Sequence, residues 1–165
     1  MKCIGVKLVD LKEMSWAEFQ TLAAETQRPK RPDDAPGYHI RYEDGYCSWS
    51  PQAVADAAYR SCDAMTFGLA LEAIKQGHKV ARRGWNGANM FIVFMSGMQL
   101  PPYNTQGTER KVNDRTAKWI GKDQALNCQP YIAMYNAQKQ WIPGWVASQS
   151  DMLSDDWYLV ESELA

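Results

Sequence analysis

Histidine is almost missing from this chain: His39 and His78 are the only two in 165 residues. The cysteines are few and scattered. Cys3, Cys47, Cys62 and Cys128 contain no C-x-x-C pair, so zinc-ligand spacing is missing too, and no metal site or cofactor is expected. Isolated cysteines fit a reducing compartment better than a disulfide framework. No apolar run approaches the ~20 residues that cross a bilayer, and the opening MKCIGVKLVD lacks a long apolar core. Neither a secretory signal nor a membrane partner is expected. Charge of one sign is not concentrated either. The formal net charge is -1, from 18 Lys and Arg against 19 Asp and Glu, which argues against a nucleic-acid binder that relies on phosphate neutralisation. The motifs G-x-S-x-G, H-E-x-x-H and G-x-x-x-x-G-K-[ST] do not occur, nor does any internal repeat.

What the chain has is apolar mass. It is 45% hydrophobic, with 7 Trp and 8 Tyr, enough at this length for one domain with an appendage. Residues 1–62 read as a small α+β unit and residues 63–165 as a second domain. In the first, Cys3–Val9 alternates as a strand does, and Ser15-x-x-Glu18 has capping-box spacing for a helix from Trp16 to about Ala24. RPKRPDDAPG is loop; Gly37–Glu43 and Tyr46–Trp49 are strands turning at Asp44–Gly45. Ser50 as cap and Pro51 at the first helical position open a helix that ends near Arg60.

In the second domain, Thr66 caps a helix whose apolar positions Phe67, Ala70, Leu71 and Ile74 follow the helical period, and Gly77 stops it. Lys79–Trp85 and Asn89–Met95 flank Asn86–Gly87, the pattern of a type I′ hairpin. MFIVFM is apolar on both faces and belongs inside a sheet. Gln99–Gln106 reads as loop, and Asn113–Ile120 as a short helix bearing Trp119. Pro130–Asn136 and Gln140–Val146 form a second hairpin, whose Pro143 marks an edge. Ser148-x-x-Asp151 caps a helical turn, and Asp156–Glu161 closes as a strand. The expected fold class is α+β: a small antiparallel sheet of two hairpins plus a C-terminal strand, packed with helices and preceded by the N-terminal α+β unit.

Nucleophile-and-base chemistry would have to recruit His39 or His78, and lone histidines are mostly structural or exposed. Asp151, Asp155 and Asp156 cluster near a helical turn and have the chemistry for acid–base work. A cap for Asp151, and solvent or the end of the helix for the other two, is the plainer account. The stronger signal is aromatic. RRGWNG, QWIPGWVASQSD and DDWY put Trp85, Trp141, Trp145 and Trp157 at or near strand ends, beside Arg, Asn, Ser and Asp. One such Trp is ordinarily core. Several with those neighbours fit a nucleotide: an indole stacks on a purine, a guanidinium forks a phosphate, and small polar side chains meet ribose hydroxyls.

MTFGLALEAIKQGHKVARRGWNG, MFIVFM and PYIAMYNAQKQWIPGWVASQSDMLSDDWYLV, in that order, resemble the second type of Thoeris anti-defence protein, small proteins of phages and prophages. The resemblance spans roughly residues 64 to 162. The GYxxxYxDGYxSWSP run before it is similar to a block attached to various small phage-encoded proteins. The resemblance implies a sponge without catalysis. Such a protein binds the cyclic ADP-ribose isomer made by a TIR-domain enzyme and keeps it from its effector in the cytoplasm of the infected host. It also implies a homotetramer with pockets between protomers, and cyclic dinucleotides as further ligands. Carried over position by position, it assigns Trp85 to stacking and Asn86 and Gly87 to the turn beside it. One of Arg82 and Arg83 goes to phosphate, since strand neighbours face opposite ways. Trp145, Ser148, Gln149 and Asp151 form the second wall, Ser148 and Asp151 toward ribose hydroxyls. Trp157 and Phe91 go to core or interface. The alternatives are a hydrolase of the same signal, with Asp151 or Asp155 as base, and a host-protein interaction module built on the N-terminal unit.

Overall fold

The computed structural model describes residues 6–22, 32 and 34–160. The chain divides into two compact units between Ala64 and Met65.

In the first unit, β1 (Asp10–Glu13), α1 (Trp16–Leu22), β2 (Gly37–Arg41), β3 (Cys47–Pro51) and α2 (Gln52–Ala58) follow one another, and the strands form an antiparallel sheet in the order β1-β2-β3. The strand expected at Cys3–Val9 is not there: residues 6–9 are irregular, pairing begins at Asp10 opposite Arg41, and residues 3–5 lie outside the described residues. α1 starts where the capping spacing predicts. Ser15 Oγ accepts from the Glu18 amide at 3.3 Å, and the Ser15 amide donates to Glu18 Oε2 at 2.8 Å. The expected end of α1 at Ala24, and half of RPKRPDDAPG, lie outside the described residues.

Trp16 and Phe19 of α1 are buried, with ring centroids 5.1 Å from Trp49 and 5.6 Å from His39 respectively. His39 is thus a packing residue of β2. A Cβ at Gly37 would collide with the Trp49 ring, so only glycine lets β2 pass it. α2 begins one residue later than the Ser-Pro pattern suggests. Ser50 still pairs with Tyr38 in the sheet, so its hydroxyl does not cap, and Pro51 takes the cap position with no side-chain bond. The helix ends at Ala58, short of Arg60.

The second unit runs α3 (Phe67–Lys75), β4 (Val80–Arg82), β5 (Phe91–Met95), β6 (Met98–Leu100), α4 (Asp114–Ile120), β7 (Leu126–Cys128), β8 (Tyr131–Tyr135), β9 (Trp141–Pro143), α5 (Gln149–Met152) and β10 (Trp157–Leu159). Five strands form one antiparallel sheet in the order β10-β4-β5-β8-β9. The doubly apolar β5 is its central strand, and Pro143 lies in the edge strand β9, as their compositions predict. β6 and β7 pair as a separate ribbon with Leu100 opposite Leu126; the stretch from Gln99, read as loop, is strand as far as Leu100.

α3 begins with Thr66 Oγ1 accepting from the Leu69 amide and ends before Gly77, whose φ of 94° suits glycine. Its Ala70 and Ile74 close over Val80, Ile92, Met134 and Trp157 to form the core. Each fully buried aliphatic side chain there contributes about 1.5–3 kcal/mol.

The Asn86–Gly87 pair does not make a type I′ hairpin. The connection from β4 to β5 is the eight-residue loop 83–90, neither Asn86 nor Gly87 has a positive φ, and the left-handed residue is Asn89, at φ 57°. No helix among the described residues is long and apolar enough to cross a membrane.

Candidate functional site

Three segments far apart in sequence meet at the end of β4. Arg82 is its last residue, and Trp157 of β10 lies directly opposite in the antiparallel register. That register delivers Asp156 to the guanidinium, while the capped turn α5 delivers Asp151.

Asp151 is a buried charge, 7% exposed. Its Oδ1 accepts from Arg82 Nη1 at 3.0 Å and from Trp85 Nε1 at 2.9 Å. Its Oδ2 accepts from the Ser148 amide at 2.9 Å and the Ser148 hydroxyl at 2.7 Å. The Asp151 amide donates back to Ser148 Oγ at 3.1 Å, completing the capping box read from the sequence. Burial alone would raise the pKa of this carboxyl. The bonds from the Ser148 hydroxyl, Trp85, the Ser148 amide and Arg82 outweigh burial and hold it down at about 2.

Asp156 was expected to face water or end the helix. Instead its Oδ1 accepts from Arg82 Nε at 2.7 Å and its Oδ2 from the Gly84 amide at 2.8 Å, while its carbonyl accepts from the Arg83 amide at 3.2 Å. The Arg82 pKa is raised above its ordinary value, first by the bond to Asp156 and then, against desolvation, by the bond to Asp151. Asp155, by contrast, is exposed.

Three indoles stand around this polar group. Ring centroids are 5.3 Å apart for Trp85 and Trp157, 6.0 Å for Trp85 and Trp145, and 6.4 Å for Trp145 and Trp157, all edge-on. Such geometry sets the positive rim of one ring against the negative face of the next. Trp157 is fully buried and its Nε1 donates to the Asp151 carbonyl at 3.0 Å, which makes it the core member expected. Trp85 and Trp145 are half-buried, leaving part of each ring to solvent.

The structure therefore brings together five of the residues singled out in the sequence: Arg82, Trp85, Trp145, Ser148 and Asp151. Arg82 is tied to two carboxylates. Arg83 is exposed, its guanidinium 4.9 Å from the centroid of Tyr158. Asn86 and Gln149 are exposed at the rim. Gly87 is half-buried, and a Cβ there would collide with Met90 Sδ and come 2.8 Å from the Ala137 side chain in the β8–β9 turn. Phe91 lies apart from the site, stacked on Tyr135 at 5.0 Å with Trp141 edge-on to both. The residue that sequence reasoning missed is Asp156. The signal for it was present, because pairing DDWYL against VAR places an acid next to Arg82. Among the described residues, no group of three or more His, Cys, Asp or Glu is placed to hold a metal ion.

The unit that carries this site matches a known family. Residues 65–160, more than half of the chain, match the Thoeris anti-defense 2-like domain, and the match begins where the second unit begins. Over 96 residues, 58% of this chain and 94% of the relative, the chain is 35% identical to Thoeris anti-defense 2 of Bacillus phage SP01. These matches define a class, the phage anti-defence proteins. The chain belongs to the Thoeris anti-defense 2-like family.

Proposed function

We propose that the protein sequesters a cyclic ADP-ribose-type immune signal and releases it chemically intact. The observation that carries the reading is that the region shared with the anti-defence family is the one that folds Trp85 and Trp145 around Asp151 and Arg82. Sequestration asks for rigid complementarity. Nanomolar binding corresponds to about -12 kcal/mol, and a site whose side chains are already locked loses little entropy on association. Here the Trp85 indole is held before any ligand arrives, by Asp151 at one end and two neighbouring rings along its edges. It offers its ring for stacking on adenine.

The same geometry redistributes the polar roles. Arg82 and Asp151 satisfy one another, so they set the shape of the site, and Arg83, exposed at the start of the loop, is the cation that meets the pyrophosphate. A carboxylate held at about pKa 2 is a poor general base near neutral pH, which speaks against the hydrolase alternative built on Asp151. In this reading the protein needs no cofactor and acts in the cytoplasm of the infected cell, where such a nucleotide diffuses.

The reading extends to assembly. Val146 and Leu153 are each 85% exposed in the chain segments that flank the site, where a second copy of the chain would cover them. A homotetramer with pockets between protomers would enclose more of the ligand than one open surface. It would also leave room for cyclic dinucleotides as further ligands.

The test is to mix the protein with the cyclic signal, denature it by heat, and assay the supernatant on the effector. Active signal is expected back; linear ADP-ribose would sink the reading in favour of hydrolysis. By calorimetry, Trp85→Ala should weaken binding about fivefold to a hundredfold, since base stacking is worth about 1–3 kcal/mol. Size-exclusion chromatography of the variant checks that its assembly is unchanged.

A further inference from the structure

The charge of the chain is nearly balanced, but its distribution is not. Residues 101–125 hold five cations, Arg110, Lys111, Arg115, Lys118 and Lys122, against three acids, Glu109, Asp114 and Asp123. Two of those acids are engaged locally: Asp114 pairs with Lys118 at 3.3 Å, and Asp123 accepts from Asn104 Nδ2 at 2.7 Å. Among the described residues Arg110, Lys111, Arg115 and Lys122 form no ion pair.

The backbone gathers these charges. The Val112 amide donates to the Pro101 carbonyl at 3.0 Å, and the Asn104 amide to the Lys122 carbonyl at 3.2 Å, which clasps residues 101–104 between the two lysine-bearing segments. Tyr103 sits in the clasp. Lys111 Nζ is 5.4 Å and Lys122 Nζ 5.6 Å from its ring centroid. The ring attracts each ammonium, and the Lys111 ammonium also donates to the Thr105 carbonyl at 2.9 Å, but neither lysine forms an ion pair among the described residues, so two like charges share one ring. Trp119, in the last turn of α4, is 84% exposed and three residues ahead of Lys122. Arg115 stands one helical turn back on the same face.

We propose that this surface binds single-stranded nucleic acid, with a base stacked on Trp119 and neighbouring phosphates held by Lys111, Lys122 and Arg115. A single strand presents a π face and a negative charge at every nucleotide, which is the pairing this surface offers. An acidic peptide supplies the charge but leaves the bare indole unmatched. The chain-wide balance argued against such a partner only because it averages this surface with a more acidic remainder. No residue of the surface belongs to the Trp85–Asp151 group, so the two ligands are independent.

The test is fluorescence anisotropy of the full chain with a fluorescein-labelled oligothymidylate of about 12 nucleotides, within the usual footprint of single-strand sites. Saturable binding is expected, with an affinity that falls linearly on a log–log plot against salt. Trp119→Ala should weaken it about fivefold to a hundredfold, while Trp119→Phe, which keeps a ring, should retain most of it. Lys111→Gln together with Lys122→Gln should lower the salt slope by about 1.4, two phosphate contacts' worth. Trp85→Ala should leave this binding unchanged, so failure here is separable from failure of the signal-binding reading. Absence of binding by the wild-type chain, indifference to Trp119→Ala, or equal competition by oligoglutamate of the same charge would each overturn the proposal.

Discussion

Arginine beside tryptophan occurs twice in the second unit, and the two occurrences are wired in opposite ways. At the end of β4, Arg82 is met by two carboxylates, and Trp85 spends its indole N–H on one of them. On α4, Arg115 and the lysines around Tyr103 meet none, and Trp119 stands in solvent. The first arrangement is closed: one guanidinium is shared by two carboxylates inside the fold, so it holds shape. The second is open: among the described residues its cations have no carboxylate partner, and Arg115 and Lys122 are exposed. The difference teaches that a motif's composition says little about its role until the partners supplied by distant segments are known.

The comparison breaks most readily at Asp151. Replacing it with alanine strips a buried guanidinium and an indole N–H of a shared acceptor and removes the carboxylate half of the α5 capping box, while the Ser148 cap on the backbone amide remains. The expected loss is about 3 kcal/mol, which in a unit of this size lowers the thermal midpoint on the order of 15 °C. A midpoint within ~2 °C of wild type, followed by circular dichroism, would mean that the closed arrangement is ornamental. Acid probes the same bond set more gently. The folded carboxyl lies below its unfolded value, so its contribution is complete above about pH 4 and is lost as the pH falls toward 2, a change of about 2 kcal/mol. Urea midpoints across that range should drop for the wild type and drop less for Asp151→Asn.

Asp156 is part-exposed, and its alanine variant should cost about 1–2 kcal/mol, with faster hydrogen exchange at the Gly84 amide as the local signature. Unchanged exchange there would detach Asp156 from the loop. At the far end of the scale, Trp119→Gln should leave stability within about 0.5 kcal/mol of wild type, because the ring buries little. A larger loss would mean that the open surface is structural after all.

The same contrast explains what could be read from the amino acids in advance. Caps were legible. Ser15, Thr66 and Ser148 each bond an amide three residues on, a relation contained in a short window. Strand β5 was legible from its apolar faces, and the edge position of β9 from Pro143. The corner at Asn86–Gly87 was misread because its shape is decided elsewhere. Asp156 draws in the Gly84 amide and Asp151 draws in the Trp85 indole, and both pulls come from more than sixty residues away. They widen a two-residue turn into an eight-residue loop. Ser50 was misassigned for a related reason: a capping residue and a pairing residue look alike until Tyr38 lies opposite. Met98–Leu100 gains its strand character only from Leu126–Cys128. Of the site, the tryptophans and the capping acid were visible as types. The sharing of Arg82 between Asp151 and Asp156 was not, since it depends on register between strands.

Met65 and Trp157 exchange amide bonds in both directions, at 2.8 and 3.2 Å, so the first residue of the family domain is stitched to its last strand. The domain is therefore a ring in all but covalent bond. Its two ends open side by side at a single seam, and a short linker there would permit circular permutation, with new termini cut at the β8–β9 turn.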